Sequence, residues 1–332
     1  MRHLAKKGVM SAVTIAGRER RENGLIVTKL RVDDGYHFKR YALERRVSRT
    51  LAAGMERFLR RRPDMPFEHR KNRTRRLLYK LPAFQEWSAF MPGALALEPI
   101  HDPDQKRLVS GGRIDLVTRG LFRHAADPIG IRTRTVTGAW LVHQNLPKTR
   151  KTVEWLSLAG GTGITSLLML EASGIPKDSW RISVVDLDRQ ALEIFMEYSA
   201  ARGIPKNHTK GVYMDVLSPE VGKSFTPGSF DVVELMGIFE YFDQADSVLL
   251  LKRAYAMAKP GGLVVFGNMR RKHPQLHLHK RGVGWPGVMP RSVQQVSEII
   301  QAADISLDSL SVYQPTDGVY NVYQIVKAEN ER

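Results

Sequence analysis

The sequence contains no cysteine. Disulfide bonds and thiolate metal sites are therefore excluded, and so are two chemistries: cysteine attack on carbon 5 of a pyrimidine, and radical reactions on a cysteine-held iron–sulfur cluster. Long hydrophobic runs are also missing, since no stretch approaches the roughly 20 apolar residues of a membrane-spanning helix. The first residues, MRHLAKKGVMSAV, lack the apolar segment and cleavage site of a secretory signal. We therefore expect a cytoplasmic protein with no transmembrane segment.

Positive charge is concentrated at one end of the 332 residues. Residues 1–80 hold 23 Lys and Arg against 8 Asp and Glu, a net charge of +15 out of the total of +17. The densest clusters are Arg60–Arg62 and Arg70–Arg76. Such clusters attract the phosphates of nucleic acid or an anionic membrane surface. A solvated helix face that pairs with acidic parts of the same protein is the alternative, and the sequence leaves both open.

A glycine turn follows the first strongly apolar segment of the second half of the chain. The stretch Thr152–Gly163, TVEWLSLAGGTG, predicts a buried strand, a turn and the start of a helix. Gly160, Gly161 and Gly163 allow the backbone to approach a ligand more closely than a residue with a Cβ could. Many strand–turn–helix units bind nothing, so a nucleotide-like cofactor is predicted only together with the segments that follow.

Three further predicted strands would bring acids and a glycine to the same edge of a sheet. In a doubly wound sheet, ligands bind in the crevice outside the carboxyl ends of the strands. An acid at the end of the second strand would meet the hydroxyls of a ribose. The segments are Arg181–Asp188, which contains Asp186; Gly211–Val216, which contains Asp215; and Phe230–Leu235, which precedes Met236 and Gly237. The stretch Ala254–Gly262 predicts a helix that ends on a Pro-Gly-Gly turn before a strand at Leu263–Gly267.

In this order the motifs resemble those of the class I S-adenosylmethionine-dependent methyltransferases. LSLAGGTG resembles the cofactor loop, VVDLD the ribose-binding acid, YMDV the acid beside the adenine and AKPGG the turn before the fifth strand. The segments Ser306–Tyr313 and Val319–Val326 are similar to the final strand pair of that superfamily, and FDVVELMGIFEYF resembles a poorly characterised subgroup of it. The resemblance covers roughly Thr149–Ala328. It implies S-adenosylmethionine as the cofactor and an α/β fold with a doubly wound, seven-stranded, mostly parallel sheet.

The resemblance also implies a set of cofactor-binding positions. They are Ser157, Ala159, Gly160, Gly161, Gly163, Asp186, Leu187, Asp215, Val216, Met236 and Gly237. At the loop this chain departs from many members, because the first strand lacks their acid. The methionine ammonium would then need a backbone carbonyl, Ser157 or a residue elsewhere as its partner.

Three regions are predicted: a basic, mainly helical region at 1–110, a helical connector and cleft cover at 111–149, and the cofactor-binding domain at 150–332. Within the first, Gly24–Val32 indicates a strand or small hairpin, and Tyr41–Phe90 indicates two helices broken near RRPDMPF. Gly112–Arg123 predicts a helix, and Asp127–Arg134 predicts a turn that leads to a connecting helix. The family's cleft-covering helices imply that Arg132 and Arg134 meet the cofactor carboxylate or an acidic substrate, with two solvated arginines as the alternative.

Methyl transfer requires alignment of nucleophile, methyl carbon and sulfur, and removal of a proton when the nucleophile is a hydroxyl. Residues after the fourth and fifth strands would face that reaction; they are Glu234, Glu240, Tyr241, Asn268, His273, His277 and His279. From these we predict Glu240 and His273 as catalytic, and Tyr241 as a contact of the substrate or the cofactor carboxylate. The histidines have no partner carboxylate at a defined spacing, so no metal site is predicted.

The acceptor class is narrowed by a missing motif. Enzymes that methylate exocyclic amino groups of bases commonly carry an Asn-Pro-Pro-Tyr type of sequence after the fourth strand, where this chain has LMGIFEYF. Three readings stay open: a small-molecule or lipid methyltransferase, a nucleic-acid methyltransferase that uses the basic region, and a cofactor-binding protein without catalysis. We prefer the first.

Overall fold

The computed structural model describes residues 9–20, 24–146 and 151–329. Its nine strands form one sheet in the order β1-β2-β8-β9-β7-β6-β3-β4-β5. The strands are Val13–Arg20 (β1), Ile26–Val32 (β2), Val153–Leu158 (β3), Trp180–Asp186 (β4), Thr209–Tyr213 (β5), Phe230–Leu235 (β6), Ala258–Met269 (β7), Leu310–Pro315 (β8) and Tyr320–Val326 (β9).

Helices cover both faces of this sheet. They are Val9–Ala12 (α1), Ala42–Arg60 (α2), Arg73–Leu78 (α3), Pro82–Ser88 (α4), Glu98–His101 (α5), Leu116–His124 (α6), Ala126–Asn145 (α7), Ile164–Ser173 (α8), Arg189–Ala201 (α9), Glu220–Ser224 (α10), Gln244–Met257 (α11) and Val293–Ala302 (α12). A π-helical turn spans Leu278–Val283. Two hydrophobic clusters fill the opposite faces of the sheet, and a third lies beneath the N-terminal helices. None of the helices in the described ranges has both the length and the apolar character needed to cross a membrane.

The centre of the sheet is parallel, as predicted. β3 pairs with β4 and β6, and β4 and β6 pair in turn with β5 and β7, all in parallel. Every residue of β6 is buried, which fits a strand covered on both faces. The antiparallel pairing of β9 with β7 and with β8 confirms the predicted final strand pair. The order of strands reverses at β3 and β6, so the loops after these two strands border one crevice.

The sheet has nine strands because the N-terminal hairpin joins it, whereas seven strands were predicted. β2 pairs in parallel with β8, with Val27 opposite Val312, and β1 pairs with the other edge of β2. Val27 and Leu30 of β2 are completely buried. The basic N-terminal region and the cofactor-binding domain therefore share one sheet, while the boundary at residue 110 stays a prediction.

The N-terminal helices follow the predicted pattern with shifted limits. The break near RRPDMPF separates α2 from α3, and the segment to Phe90 holds three helices instead of two. α2 buries Ala52, Met55 and Leu59, which share one helix face at intervals of three and four residues. The helix predicted from Gly112 begins at Leu116, because the Asp115 carboxylate accepts hydrogen bonds from Thr118 and caps it.

The turn predicted at Asp127–Arg134 was wrong, because this segment begins the 20-residue helix α7. Pro128 lies in its first turn, where backbone N–H groups have no partner within the helix, so the missing N–H costs little. Gly130 leaves room for β9, since a Cβ there would come within 2.4 Å of the Val319 side chain.

Two strand limits also differ from the prediction. β5 ends at Tyr213, so Asp215 follows the strand instead of ending it. β7 begins at Ala258, and its pairing with β6 is irregular where the predicted Pro-Gly-Gly turn lies.

Candidate active site

The glycine turn after β3 carries three residues in the left-handed backbone region. Ala159 has a φ of 53°, Gly161 of 55° and Gly163 of 64°. The Gly161 N–H donates to Oδ2 of Asp186 at 2.7 Å. The turn after β3 and the acid at the end of β4 therefore lie in contact, which is the arrangement that the sequence predicted for these two motifs.

Asp186 keeps a largely buried carboxylate at this edge. Its Oδ1 accepts a second backbone hydrogen bond, from Asp188 at 2.9 Å. Burial raises the pKa of Asp186 above its ordinary value, although the hydrogen bonds oppose that shift. Leu187 and Asp215 are exposed and Val216 is buried. These residues lie at the ends of neighbouring strands, where adenosine is expected.

Ser157 is fully buried and its hydroxyl is already used within the protein. It donates to Oε2 of Glu234 at 2.6 Å, and Ser166 donates to the same oxygen at 2.8 Å. Oε1 of Glu234 accepts the Met236 N–H at 2.6 Å. Burial raises the pKa of Glu234 despite these hydrogen bonds. Glu234 thus supplies a carboxylate beside the carboxyl end of β3, where this chain has Ser157 in place of an acid.

A segment from the N-terminal half covers the glycine turn. A Cβ added to Gly161 would come within 2.2 Å of the Ala94 Cβ. Four residues after Ala94, the Glu98 carboxylate accepts hydrogen bonds from the Thr162 hydroxyl at 2.6 Å and from the Tyr198 hydroxyl at 2.7 Å. Burial raises the pKa of Glu98, and both hydroxyls oppose it. The sequence implied a cover for the cleft but did not identify these residues.

A small cavity of about 30 Å³ lies beside Gly237, at the carboxyl end of β6. It brings together four predicted site residues from two separate segments, which are Arg134, Gly237, Glu240 and Tyr241. Tyr241 accepts a hydrogen bond from the Trp285 indole at 2.5 Å, and burial raises its pKa. The cavity is also lined by His279, which was expected to face the reaction, and by residues that the sequence did not predict at the site, namely Pro92, Leu97, Asp127, Ile131, Trp285, Val288 and Tyr320.

Arg134 and Glu240 form a buried ion pair in the wall of this small cavity. Nη1 of Arg134 lies 3.1 Å from Oε1 of Glu240, and the guanidinium lies 4.4 Å from the centre of the Tyr320 ring. Burial raises the pKa of Glu240, and the charge of Arg134 opposes the shift. Arg134 Nε and Glu240 Oε2 have no hydrogen-bond partner among the described residues. Buried polar atoms in this state call for partners from a ligand or water.

Arg132 does not face the cavity, which corrects its prediction as a ligand contact. It is fully buried, and its Nη2 lies 2.7 Å from Oδ2 of Asp34. Its remaining N–H groups donate to the carbonyls of Ile100, Phe122 and Arg123. Residues two apart on an α-helix point in different directions, so Arg132 and Arg134 cannot serve one site.

Asp127, at the start of α7, lies between two histidines of the loop after β7. Nδ1 of His279 is 2.8 Å from Oδ2 of Asp127, and Nε2 of His273 is 3.6 Å from Oδ1. Burial alone would raise the pKa of Asp127, but the two imidazoles outweigh it and hold the pKa below its ordinary value. Within the described ranges, no group of three or more His, Asp or Glu side chains is arranged to hold a metal ion.

A second, slightly larger cavity of about 50 Å³ shares Asp127, His279 and Trp285 with the small one. Its walls are mainly apolar and are formed by N-terminal helices and the loop after β7. The aromatic walls are packed at a tilt, with ring centres 5.2 Å apart for Phe84 and Trp87 and 5.0 Å for Trp87 and Phe122. Further lining residues are Met55, Leu78, Ile100, Leu121, Ala125, Pro128, Gln275, Leu278 and Val283. His273, predicted as catalytic, lines neither of these two cavities, whereas His279 lines both.

Residues 133–306 match a family model described as a methyltransferase domain. This segment covers slightly more than half of the chain and contains the glycine turn, Asp186, Asp215 and the loop after β6. A comparison with curated protein sequences found no match.

Solved structures with a similar fold are distant in sequence. A possible exported protein from Bordetella parapertussis is 18% identical, with a TM-score of 0.59 over 84% of this chain and 96% of that chain. The CurJ carbon methyltransferase is 13% identical, with a TM-score of 0.50 over 83% of this chain and 80% of that one. Magnesium protoporphyrin IX methyltransferase from Synechocystis PCC 6803, solved with SAH, is 12% identical, with a TM-score of 0.46 over 65% of this chain and 90% of that one.

Proposed function

The chain belongs to the methyltransferase-domain family and is an S-adenosylmethionine-dependent enzyme, and we propose that its acceptor is a small molecule or lipid with an apolar body. The observation that carries this proposal is the set of residues that the two cavities share. The apolar, larger cavity shares Asp127, His279 and Trp285 with the small polar one, and the polar one borders Gly237.

The residues at the crevice fit the proposed cofactor. Asp186, held at the glycine turn, offers carboxylate oxygens to a ribose. Arg134 and Glu240 carry opposite charges beside Gly237, and each has one unpartnered polar atom among the described residues. A guanidinium and a carboxylate so placed suit the carboxylate and ammonium of an amino acid. When bound, the cofactor supplies a methyl group on a sulfonium, which is already an electrophile.

The large cavity supports an apolar acceptor because of what lines it. Among its lining residues, Asp127, Gln275 and His279 are the polar ones besides Trp285, and all others are apolar. Burying apolar surface against such walls contributes roughly 25 cal/mol per Å². Two of these polar residues, Asp127 and His279, also line the small cavity, so an acceptor that is apolar along its body and polar at one end would be held with its polar end toward Gly237.

The basic N-terminal helices form part of the cover of this cavity, which disfavours a nucleic-acid arm. The Asn72 amide donates to the Arg281 carbonyl at 2.7 Å, and the Tyr79 hydroxyl to the Val283 carbonyl at 2.9 Å. Part of the charge is paired internally, since Arg75 lies 2.9 Å from Glu68. These contacts tie the arginine-rich segments to the loop that lines the cavity.

The test is incubation of the protein with S-adenosylmethionine carrying a labelled methyl group and a fractionated cell extract. We expect label in the ether-soluble fraction. The matched control is Gly161→Val, which blocks the glycine turn and should leave every fraction unlabelled. Label confined to RNA would contradict the proposed acceptor, and cofactor binding without label in any fraction would contradict catalysis.

A further inference from the structure

We propose that His279 is the general base that removes the proton from a hydroxyl on the acceptor, and that Asp127 positions it. The inference rests on the proposed function and assigns the acceptor atom: an oxygen. His279 comes from the loop after β7, Asp127 comes from the start of α7, and 151 residues of chain separate them.

Hydrogen bonding fixes which nitrogen of His279 is basic. Asp127 Oδ2 lies 2.8 Å from Nδ1, and an ionised carboxylate can only accept, so Nδ1 carries the proton. The lone pair of the neutral ring is then on Nε2, which has no hydrogen-bond partner among the described residues. His279 is 4% exposed and lines both cavities. His279 therefore carries a buried lone pair without a hydrogen-bond partner among the described residues, on a side chain that lines both cavities.

His273 has the opposite arrangement and cannot take the same role. Its Nδ1 accepts the backbone N–H of Gln275 at 3.0 Å, so its proton is on Nε2, the nitrogen that faces Asp127. His273 thus supports the negative charge of Asp127 and offers no free lone pair. Asp127 is further stabilised as an anion by its place in the first turn of α7.

Trp285 fixes the plane of the His279 ring. The two ring centres are 6.0 Å apart at an interplanar angle of 29°, and the indole N–H is held by the Tyr241 hydroxyl. Tyr241 follows the loop after β6 and lines the small cavity with Glu240. The His279 ring is thereby held by two contacts: its Nδ1 bonds to Asp127, and its face packs against Trp285.

The step balances without any further reactant. The acceptor O–H bond breaks and its proton passes to Nε2 of His279. The oxygen forms a bond to the methyl carbon while the bond from that carbon to sulfur breaks, and the electron pair leaves on sulfur. The products are a methyl ether and a neutral thioether. The positive charge ends on the His279 ring, beside the carboxylate of Asp127.

Several charged and titratable groups surround His279, and each of them could also affect the rate of methyl transfer. Asp127 and His273 are nearest, and Glu56 of α2 accepts the backbone N–H of Leu278 at 2.8 Å. The others lie across the small cavity or on the same segment; they are Arg134, Glu240, Tyr241, Tyr320, His277, Lys280 and Arg281. Asp127→Asn is therefore included as a second variant, because it changes one neighbour without removing the base.

The first arm of the test needs no acceptor. Two-bond ¹H–¹⁵N spectra of the full-length protein identify which nitrogen of each neutral histidine is unprotonated, with His279→Asn used for assignment. We expect the unprotonated nitrogen of His279 to be Nε2, and that of His273 to be Nδ1. An unprotonated Nδ1 on His279 would overturn the proposal, because no lone pair would then reach the cavities.

The second arm measures transfer of labelled methyl from S-adenosylmethionine to the ether-soluble fraction. His279→Asn retains an N–H that can donate to Asp127 but has no basic nitrogen, so transfer should fall by roughly 100-fold or more while calorimetric cofactor affinity stays unchanged. The matched control is His277→Asn, two residues away and outside both cavities, which should transfer at the wild-type rate. In Asp127→Asn the two-bond spectra should no longer show one fixed tautomer of His279, because the amide that replaces the carboxylate can donate as well as accept a hydrogen bond at Nδ1.

The outcomes separate this inference from the proposed function. A folded His279→Asn protein that labels the ether-soluble fraction within fivefold of the wild-type rate would overturn His279 as the base, while the proposed acceptor class would stand. A wild-type protein that labels nothing ether-soluble would contradict the proposed function itself.

Discussion

Ala94 lies directly against Gly161, so that a Cβ built on Gly161 would be 2.2 Å from the Ala94 Cβ. The glycine turn is thus closed from the outside by the N-terminal half of the chain. Glu98, four residues after Ala94, binds the Thr162 hydroxyl and holds this cover in place.

Gly161→Val should abolish binding of S-adenosylmethionine. The branched side chain would both collide with Ala94 and disfavour the φ of 55°. Calorimetry on the folded variant measures the effect. Gly174→Val is the matched control, because Gly174 also has a positive φ, of 76°, and no atom lies within 4 Å of the position that a Cβ would take there. Undiminished cofactor affinity in Gly161→Val would contradict the assignment of the turn.

Asp186→Ala should weaken cofactor affinity at least tenfold. Each hydrogen bond to a charged group contributes about 1.5–3 kcal/mol, less what water replaces. Asp188→Ala is the control, because Asp188 caps α9 through the Ala191 N–H and its loss should cost about 1 kcal/mol of unfolding free energy without a change in affinity. If Asp186→Ala lowers thermal stability but leaves affinity intact, Asp186 serves only the turn.

Arg132→Met should destabilise the fold by about 3–5 kcal/mol, because it leaves the Asp34 carboxylate buried without its partner. Urea unfolding at neutral pH measures this loss. The variant should still bind cofactor under conditions where it is folded, since Arg132 contacts carbonyls and Asp34 and not the cavity. Loss of cofactor affinity in a fully folded Arg132→Met protein would restore its predicted role as a ligand contact.

The same ion pair predicts a pH dependence. Burial alone would raise the pKa of Asp34, but Arg132 outweighs it and the net pKa lies below the ordinary 3.8. The stabilisation from ionised Asp34 is therefore complete above pH 3.8 and is lost as the pH falls through the lower folded value. The difference in unfolding free energy between wild type and Asp34→Asn should shrink below about pH 3.8. In Asp33→Asn, a change at the exposed neighbour, the unfolding free energy should vary with pH as in the wild type. A difference in unfolding free energy between wild type and Asp34→Asn that stays constant down to acid pH would contradict the pairing of Asp34 with Arg132.

A protein truncated to begin at Leu81 should lose cooperative unfolding and cofactor binding together. It lacks β2, which pairs with β8, and it lacks Met55 and Leu78, which line the large cavity. Circular dichroism during heating and calorimetry measure the two losses. Deleting residues 1–8 is the control, because it removes none of the contacts described above. A truncated protein that binds the cofactor with full affinity would show that the basic region is a separate arm.

The cofactor half is predictable from sequence because its signals are local. The strands β3 and β6, the glycine turn and Asp186 are each recognised from a few consecutive residues. The pairing of β2 with β8 joins segments almost 300 residues apart, and no local pattern indicates it. Likewise the sequence does not reveal that Glu234 on the neighbouring strand accepts a hydrogen bond from the hydroxyl of Ser157, a predicted cofactor contact.

The proposed acceptor site is not predictable from sequence for a different reason, which is that its residues depend on where one helix begins. Asp127, Ile131 and Arg134 follow the spacing i, i+4, i+7 and all three line the small cavity. Pro128 and Gly130 make that segment resemble a turn. A turn has no helical spacing, so it predicts neither that Arg132 and Arg134 point in different directions nor that Asp127 lies in the site. A helix that begins at Ala126 separates the two arginines and places Asp127 with Arg134.

The central claim, that the acceptor body occupies the large cavity, is tested most directly by filling that cavity. Ala125 lines it and the next residue, Ala126, does not. We expect Ala125→Phe to reduce transfer of labelled methyl to the ether-soluble fraction at least tenfold with unchanged cofactor affinity, and Ala126→Phe to transfer at the wild-type rate. Wild-type transfer by a folded Ala125→Phe protein would contradict the account.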